Sequence, residues 1–166
     1  MKKVFSDKIA RIIKNRERLE KILEVKITIN SGEIFVNGSP EKEYVAEKVI
    51  DALSAGFPFS AAMLIKDEEY LLETINIKEY TKRKDLERIR ARIIGKKGKT
   101  LRAISHITNC FLELKDNSVW IIGSFENVKS ARDGIISLIR GAKQSSIYSF
   151  LEKNRSKHII DFGLKE

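Results

Sequence analysis

The residues best placed to do chemistry in this 166-residue chain are Gly95-Lys96-Lys97-Gly98, with Lys99 and Arg102 just behind and Arg90 and Arg92 just ahead. Glycine supplies the backbone freedom that a four-residue turn demands. A helix that starts after such a turn presents unpaired amides, and its dipole favours an anion there. The expected chemistry is the attraction and clamping of a phosphate. A nucleotide-binding P-loop competes, because Gly98-Lys99-Thr100 looks like its end. That motif needs a glycine five positions before Gly98, where Ile93 stands, and it should follow a strand. A plain helical corner, with glycines for geometry alone, is the other alternative.

The flanks carry the turn. Leu86, Ile89 and Ile93 recur at three and four residues, and Leu101, Ile104 and Ile107 at three, so both sides read as amphipathic helices. The helices are expected over Lys84 to Ile94 and Lys99 to Thr108.

Charge singles out the same region. The formal net charge is +9, yet residues 1–74 carry 12 basic and 13 acidic side chains, and residues 75–166 carry 20 and 10. Within 78–102 there are 11 basic against 3 acidic residues. Such a concentration is the electrostatic footprint of a nucleic-acid site. No apolar run reaches the roughly 18 residues of a membrane span. The start turns charged at once, so no signal peptide is expected, and the single Cys110 excludes an internal disulfide framework and fits a reducing cytoplasm.

The chain also repeats itself. Ala10-Arg11-Ile12-Ile13 matches Ala91-Arg92-Ile93-Ile94 at an offset of 81. Ile27 and Ile29 match Leu112 and Leu114, Gly38-Ser39 matches Gly123-Ser124, and Leu53 matches Leu138, all at 85. The offsets differ by the length of Gly95-Lys96-Lys97-Gly98, so the first copy reads as the second with its glycine turn deleted.

Each copy is expected to run strand, helix, helix, strand, strand, helix. In the second, a first strand is placed at Ile75 to Lys82, and later strands begin at Phe111 and Val119 around the turn Asp116-Asn117-Ser118. Ser124 is the expected N-cap of a helix burying Val128, Ala131, Ile135, Leu138 and Ile139. Ser39 and Pro40 open the matching helix of the first copy. Between the copies, Gly56-Phe57-Pro58-Phe59 breaks a helix, and Ala61 to Ile65 is expected to pack at the junction. After Gly141, Ser145 to Asn154 reads as a short helix with Ile147, Phe150 and Leu151 as its apolar face, and the tail from Ser156 as flexible.

The glycine turn, the element order and the duplication resemble tandem KH proteins, whose Gly-x-x-Gly turn clamps about four nucleotides of single strand. The degenerate first copy, the Phe-rich junction with its acidic Tyr-Leu-Leu segment, and the terminal Ile147-Tyr148-Ser149-Phe150-Leu151-Glu152-Lys153 helix are similar to the partner-of-Nob family. These are KH proteins of small-ribosomal-subunit assembly, and the compact length suggests an archaeal member. The resemblance implies an α+β fold of two tandem type I KH domains, each a three-stranded sheet packed on three helices. The expected boundaries are 1–56 for a degenerate first domain, 57–73 for a junction, 74–143 for the second domain and 144–166 for a C-terminal helix and tail.

The implied ligand is single-stranded RNA near the 3′ end of small-subunit rRNA. The implied partners are the Nob endonuclease and the alpha subunit of archaeal initiation factor two. Gly95 to Gly98 become the backbone clamp, with Lys96, Lys97, Lys99 and Arg102 attracting phosphate. By the geometry of a KH groove, Ile94 and Leu112 are candidates for its apolar floor; Ile93 reads as core, and Ile94 as either. Arg90 and Arg92 are candidates for phosphate or base-edge contacts, or for a solvated helical face. In the first copy Lys14-Asn15-Arg16-Glu17 stands where the turn should be, which leaves it as a scaffold, a protein-binding face or an auxiliary basic surface.

Other residues point to no reaction. Trp120, mid-strand, is expected in the core rather than stacked on a base. His106 and His158 have no metal-ligand neighbours at useful spacing, and Cys110 takes the place of Val25 in the repeat as a buried thiol. Neither a nucleophilic triad nor a carboxylate pair is visible, and no cofactor is expected.

Overall fold

The computed structural model describes the backbone of residues 1–164 and the side chains of residues 1–155. The chain divides into two compact units, Met1–Leu72 and Glu73–Glu166.

In the first unit β1 (Lys2–Val4), β2 (Lys26–Asn30) and β3 (Glu33–Asn37) form an antiparallel sheet with β3 at its centre. Ser31 and Gly32, both at positive φ, make the two-residue hairpin turn whose twist suits the flanking strands. One face of the sheet buries Val4, Ile27, Ile34 and Val36. Against it lie α1 (Ile9–Leu23), through Ile12, Leu19 and Leu23, and α2 (Pro40–Ala55), through Ala46, Val49, Ile50 and Leu53. Ser39 caps α2 as expected, its hydroxyl accepting from the N–H of Lys42, and Pro40 occupies the first helical position. Gly56, at φ 110°, ends α2, and the short α3 (Phe59–Met63) folds back on it with Ala61 and Ala62 buried.

This unit corrects one expectation. Where two helices were foreseen, α1 is a single helix of 15 residues. Lys14-Asn15-Arg16-Glu17 has no residue needing a positive φ, and Arg16 pairs with Glu20 one turn on. Without glycines nothing stops the helix, so it runs on to Glu24, which adopts φ 55° at its end.

In the second sheet β4 (Tyr70–Asn76), which begins three residues before the unit boundary, β6 (Ser118–Ser124) and β5 (Phe111–Lys115) lie in that order. The first strand thus lies earlier than expected. It stops at Asn76 because Asn76 Oδ1 accepts from the N–H of Lys78 and turns Ile77–Glu79 into a 3-10 helix. Four helices follow in the chain: α4 (Leu86–Ile94), α5 (Lys99–Thr108), α6 (Phe125–Ile139) and α7 (Gln144–Leu164). Ser124 caps α6, and all five foreseen residues of its apolar stripe are buried. Helix α7 exceeds its expected length, and its backbone is helical past Ser156, where a flexible tail was foreseen. Its inner face is Ile147 and Leu151, whereas Phe150 is 49% exposed because it falls on the flank of that stripe, one residue before Leu151 and about 100° round the helix from it. Trp120 is half-buried rather than in the core, since it alternates with the buried Val119 and Ile121 and faces away from the helices. His158 lies beyond the described side chains.

Candidate nucleic-acid interface

The clamp begins where α4 ends. The N–H of Gly95 donates to Ala91 O at 2.9 Å, and Gly95 then swings to φ 74°. Lys96 to Gly98 form one 3-10 turn, with Lys97 at φ 55° and Gly98 at φ 76°, and Gly98 N–H closes it onto Gly95 O at 3.1 Å. Helix α5 starts immediately after.

The glycines are fixed for different reasons. A Cβ on Gly95 would lie 2.1 Å from Thr100 Oγ1 and 2.7 Å from the Thr100 backbone nitrogen, so close approach and positive φ both require glycine. A Cβ on Gly98 would meet only the flexible end of Arg102, at 3.1 Å, so its constraint is the backbone angle. Thr100 itself is buried, and its hydroxyl accepts from Gln144 Nε2 at 3.1 Å. The same Gln144 amide reaches Arg92 O at 3.3 Å. The first residue of α7 therefore braces the turn from behind.

Beside the turn runs a groove of about 320 Å³, walled by Glu87, Arg90, Ala91 and Ile94 of α4 and by Leu114 and Asp116 of the β5–β6 hairpin. Ile94 is 39% exposed here, while its neighbour Ile93 is fully buried. Arg90 Nη1 donates to Asp116 O at 3.2 Å and spans the groove from helix to hairpin. Lys96, Lys97 and Lys99 stand exposed around the turn without an ion-pair partner among the described residues. Arg102 curls back, its Nη2 donating to Lys97 O at 2.8 Å, so it latches the turn it was expected only to charge.

Two sequence candidates stand elsewhere. Arg92 points away from the groove: its guanidinium donates to Leu138 O at 3.1 Å and to Ala142 O, closing the C-terminal end of α6. Leu112 is 8% exposed and belongs to the core, and the apolar wall it was to provide comes from Leu114. Leu114 and Asp116 were missed, although a strand's period of two puts Leu114 on the same face as Leu112, one step nearer the hairpin end.

Burial pushes the Cys110 thiol up to about 11, which keeps it protonated and inert. Among the described residues no cluster of His, Cys, Asp and Glu could hold a metal ion, and no helix is long and apolar enough to cross a membrane. What remains is a shallow half-apolar channel beside a lysine-rich glycine turn, the geometry by which a backbone approaches a phosphodiester while a base lies on an aliphatic floor.

Residues 71–156 match the family model of the second KH domain of PNO1, described as a eukaryotic-type KH domain (KH-domain type I). A KH domain-containing protein of Methanocaldococcus jannaschii is 32% identical over 149 residues, covering 86% of this chain and 66% of that protein. The pre-rRNA-processing protein PNO1 of Yarrowia lipolytica is 38% identical over 105 residues, 61% of this chain and 41% of that one. The chain thus spans about two thirds or less of these curated relatives. Dim2p of Pyrococcus horikoshii, solved in an a/eIF2alpha–aDim2p–rRNA complex, superposes with a TM-score of 0.85 at 29% identity, covering 94% of each chain. With more than half of its residues inside that family model and its glycine turn in the matched segment, the chain belongs to the PNO1, or partner-of-Nob, family of KH proteins.

Proposed function

We propose that this chain is a non-enzymatic RNA-binding factor of small-ribosomal-subunit assembly, which grips single-stranded RNA near the 3′ end of small-subunit rRNA. The observation that carries the reading is the pairing of the strained turn Gly95–Gly98 with the exposed Ile94 at the head of the groove. In this reading Gly95 to Gly98 hold the phosphates, Lys96, Lys97 and Lys99 attract them, and Ile94 and Leu114 carry the bases. Arg90 exchanges its bond to Asp116 O for a phosphate or base edge. The M. jannaschii and Y. lipolytica relatives, named for a KH domain and for pre-rRNA processing, and the rRNA complex of the P. horikoshii neighbour support it.

The same reading makes residues 74–143 the second of two tandem KH domains and residues 1–56 a degenerate first one, joined by 57–73, with 144–166 as the terminal helix. The first is a scaffold or partner-facing domain, because its α1 has no turn with which to hold a phosphate. Its Ile13, the repeat counterpart of Ile94, is 55% exposed and keeps an apolar surface there for a protein partner. The Nob endonuclease and the alpha subunit of archaeal initiation factor two are the proposed partners, in the cytoplasm. The a/eIF2alpha subunit in the P. horikoshii complex supports the second of them.

The test is fluorescence anisotropy on an oligonucleotide from the small-subunit rRNA 3′ end, with a scrambled control. Wild type should prefer the cognate strand, and Lys96→Asp/Lys97→Asp should lose it. Equal binding of both strands, or full binding by the variant, overturns the reading.

A further inference from the structure

On the side of α4 opposite the groove lies a second pocket, of about 390 Å³. Helical periodicity separates the two: Glu87, Arg90, Ala91 and Ile94 face the groove, whereas Arg88, Ile89 and Arg92 face the pocket. Its floor is apolar, made by Ile89 and Ile139, which are 5% and 3% exposed. Its rim is cationic, made by Arg83, Lys84 and Arg88, all exposed.

The rim carries more positive charge than the wall offsets. Among the described residues, the side chains of Arg83, Lys84 and Arg88 have no ion-pair or hydrogen-bond partner. The one acid on the pocket wall, Asp85, has an oxygen engaged by the N–H of Arg88 at 3.2 Å as the cap of α4. Arg92, on the inner wall, is already committed to Leu138 O and Ala142 O. Three free cations over two aliphatic side chains repel one another and attract a polyanion. Two of them are arginines, whose planar fork suits a phosphodiester. An aliphatic floor between them suits the sugar or base that comes with a phosphate better than it suits a bare ion.

We propose that this pocket is a second RNA-backbone contact, which takes phosphates of the RNA flanking the nucleotides held in the groove. The inference rests on the RNA-binding reading above and extends it from one clamp to two faces of α4. An α-helix with side chains is roughly 10–12 Å across, so a strand leaving the groove meets the pocket after bending round one helix.

The experiment compares wild type, Arg83→Gln/Arg88→Gln and Lys96→Asp/Lys97→Asp on two RNAs. One is the cognate strand trimmed to about four nucleotides, the length a KH groove clamps. The other carries the same nucleotides with flanks on both sides. The Arg83→Gln/Arg88→Gln variant should bind the short RNA as wild type does and bind the long one on the order of tenfold more weakly, its salt slope smaller by about 0.7 per lost contact. The Lys96→Asp/Lys97→Asp variant should lose both RNAs. If wild type binds the long RNA no better than the short one, or the arginine variant matches wild type on both, the pocket proposal is overturned while the groove reading stands. A pocket variant that leaves long-RNA binding intact but loses a poly-glutamate peptide makes the site one for acidic protein, which also overturns it. If wild type binds neither RNA, the RNA-binding reading falls and the pocket with it.

Discussion

Arg11 and Arg92 make the same two hydrogen bonds in their separate units. Arg11 donates to Leu53 O at 2.6 Å and to Phe57 O, and Arg92 donates to Leu138 O at 3.1 Å and to Ala142 O. The arginines are related by the 81-residue offset of the repeat and their acceptors by the 85-residue offset. The joint between the first long helix of each unit and the end of its last sheet-packed helix therefore persists whether or not four residues of turn intervene. The acceptors are helix-terminal carbonyls, which need a partner when half-buried.

Arg92→Ala should consequently destabilise the second unit by about 1.5–3 kcal/mol, the usual worth of hydrogen bonds from a charged donor. Lysine should recover little, having no fork to reach two carbonyls. Urea unfolding measures the loss. RNA affinity at low temperature should change less than about threefold, because the side chain faces away from the groove.

Gly95 and Gly98 should respond differently to the same methyl group. Gly95→Ala meets Thr100 at 2.1 Å and should cost well over about 2 kcal/mol. Gly98→Ala meets only a movable guanidinium and should cost about 1 kcal/mol, the price of a left-handed alanine. Parallel denaturation curves decide it, and equal losses would mean that Thr100 yields.

Ile93 and Ile94 are neighbours with opposite fates. Ile93→Ala opens a cavity in a fully buried site and should cost about 2–5 kcal/mol. Ile94→Ala should leave the unfolding midpoint nearly unmoved and weaken RNA binding by about fivefold to fiftyfold, the range of a lost base-side contact of about 1–2.3 kcal/mol. Anisotropy and a melting curve on the same samples separate the two effects.

Asp51 of α2 gives a pH signature. Burial, reinforced by the neighbouring Glu47, pushes its carboxyl up to about 6 from an ordinary 3.8. The folded state thus holds a proton that the unfolded chain has released, so this group's contribution to stability falls as pH rises from about 4 to about 6. Above that window Asp51→Asn should stabilise by about 1–2 kcal/mol, a figure discounted because the side chain is only half-buried. Below it the variant should gain nothing. Melting curves at about pH 4 and pH 7.5 test the sign, and an equal gain at both would exclude titration as the cause.

Local signals were legible in the sequence and long-range ones were not. Ser39, Pro40 and Ser124 declared two helix starts because capping is chemistry among near neighbours. The stripe Val128 to Ile139 declared a buried face because period alone defines it. The strand at Tyr70 was hidden, since it follows an acidic run, and its place in the order β4, β6, β5 beside a strand far along the chain is not written in its own residues. Arg92 was misplaced for a similar reason: its partners are carbonyls 46 and 50 residues away. The unbroken α1 was implicit in the deletion itself, for removing the only residues that break a helix leaves a helix.

The brace from Gln144 has a temporal consequence. A chain is synthesised from its N-terminus, and its parts become available to fold in that order. The turn at Gly95–Gly98 emerges almost fifty residues before the amide that pins Arg92 O and Thr100 Oγ1. A nascent chain thus exposes its lysines before the groove is rigid, and its grip matures only once the last helix has been threaded out. On the RNA-binding reading, newly made protein passes through a stage in which it is charged for its ligand but not yet shaped for it.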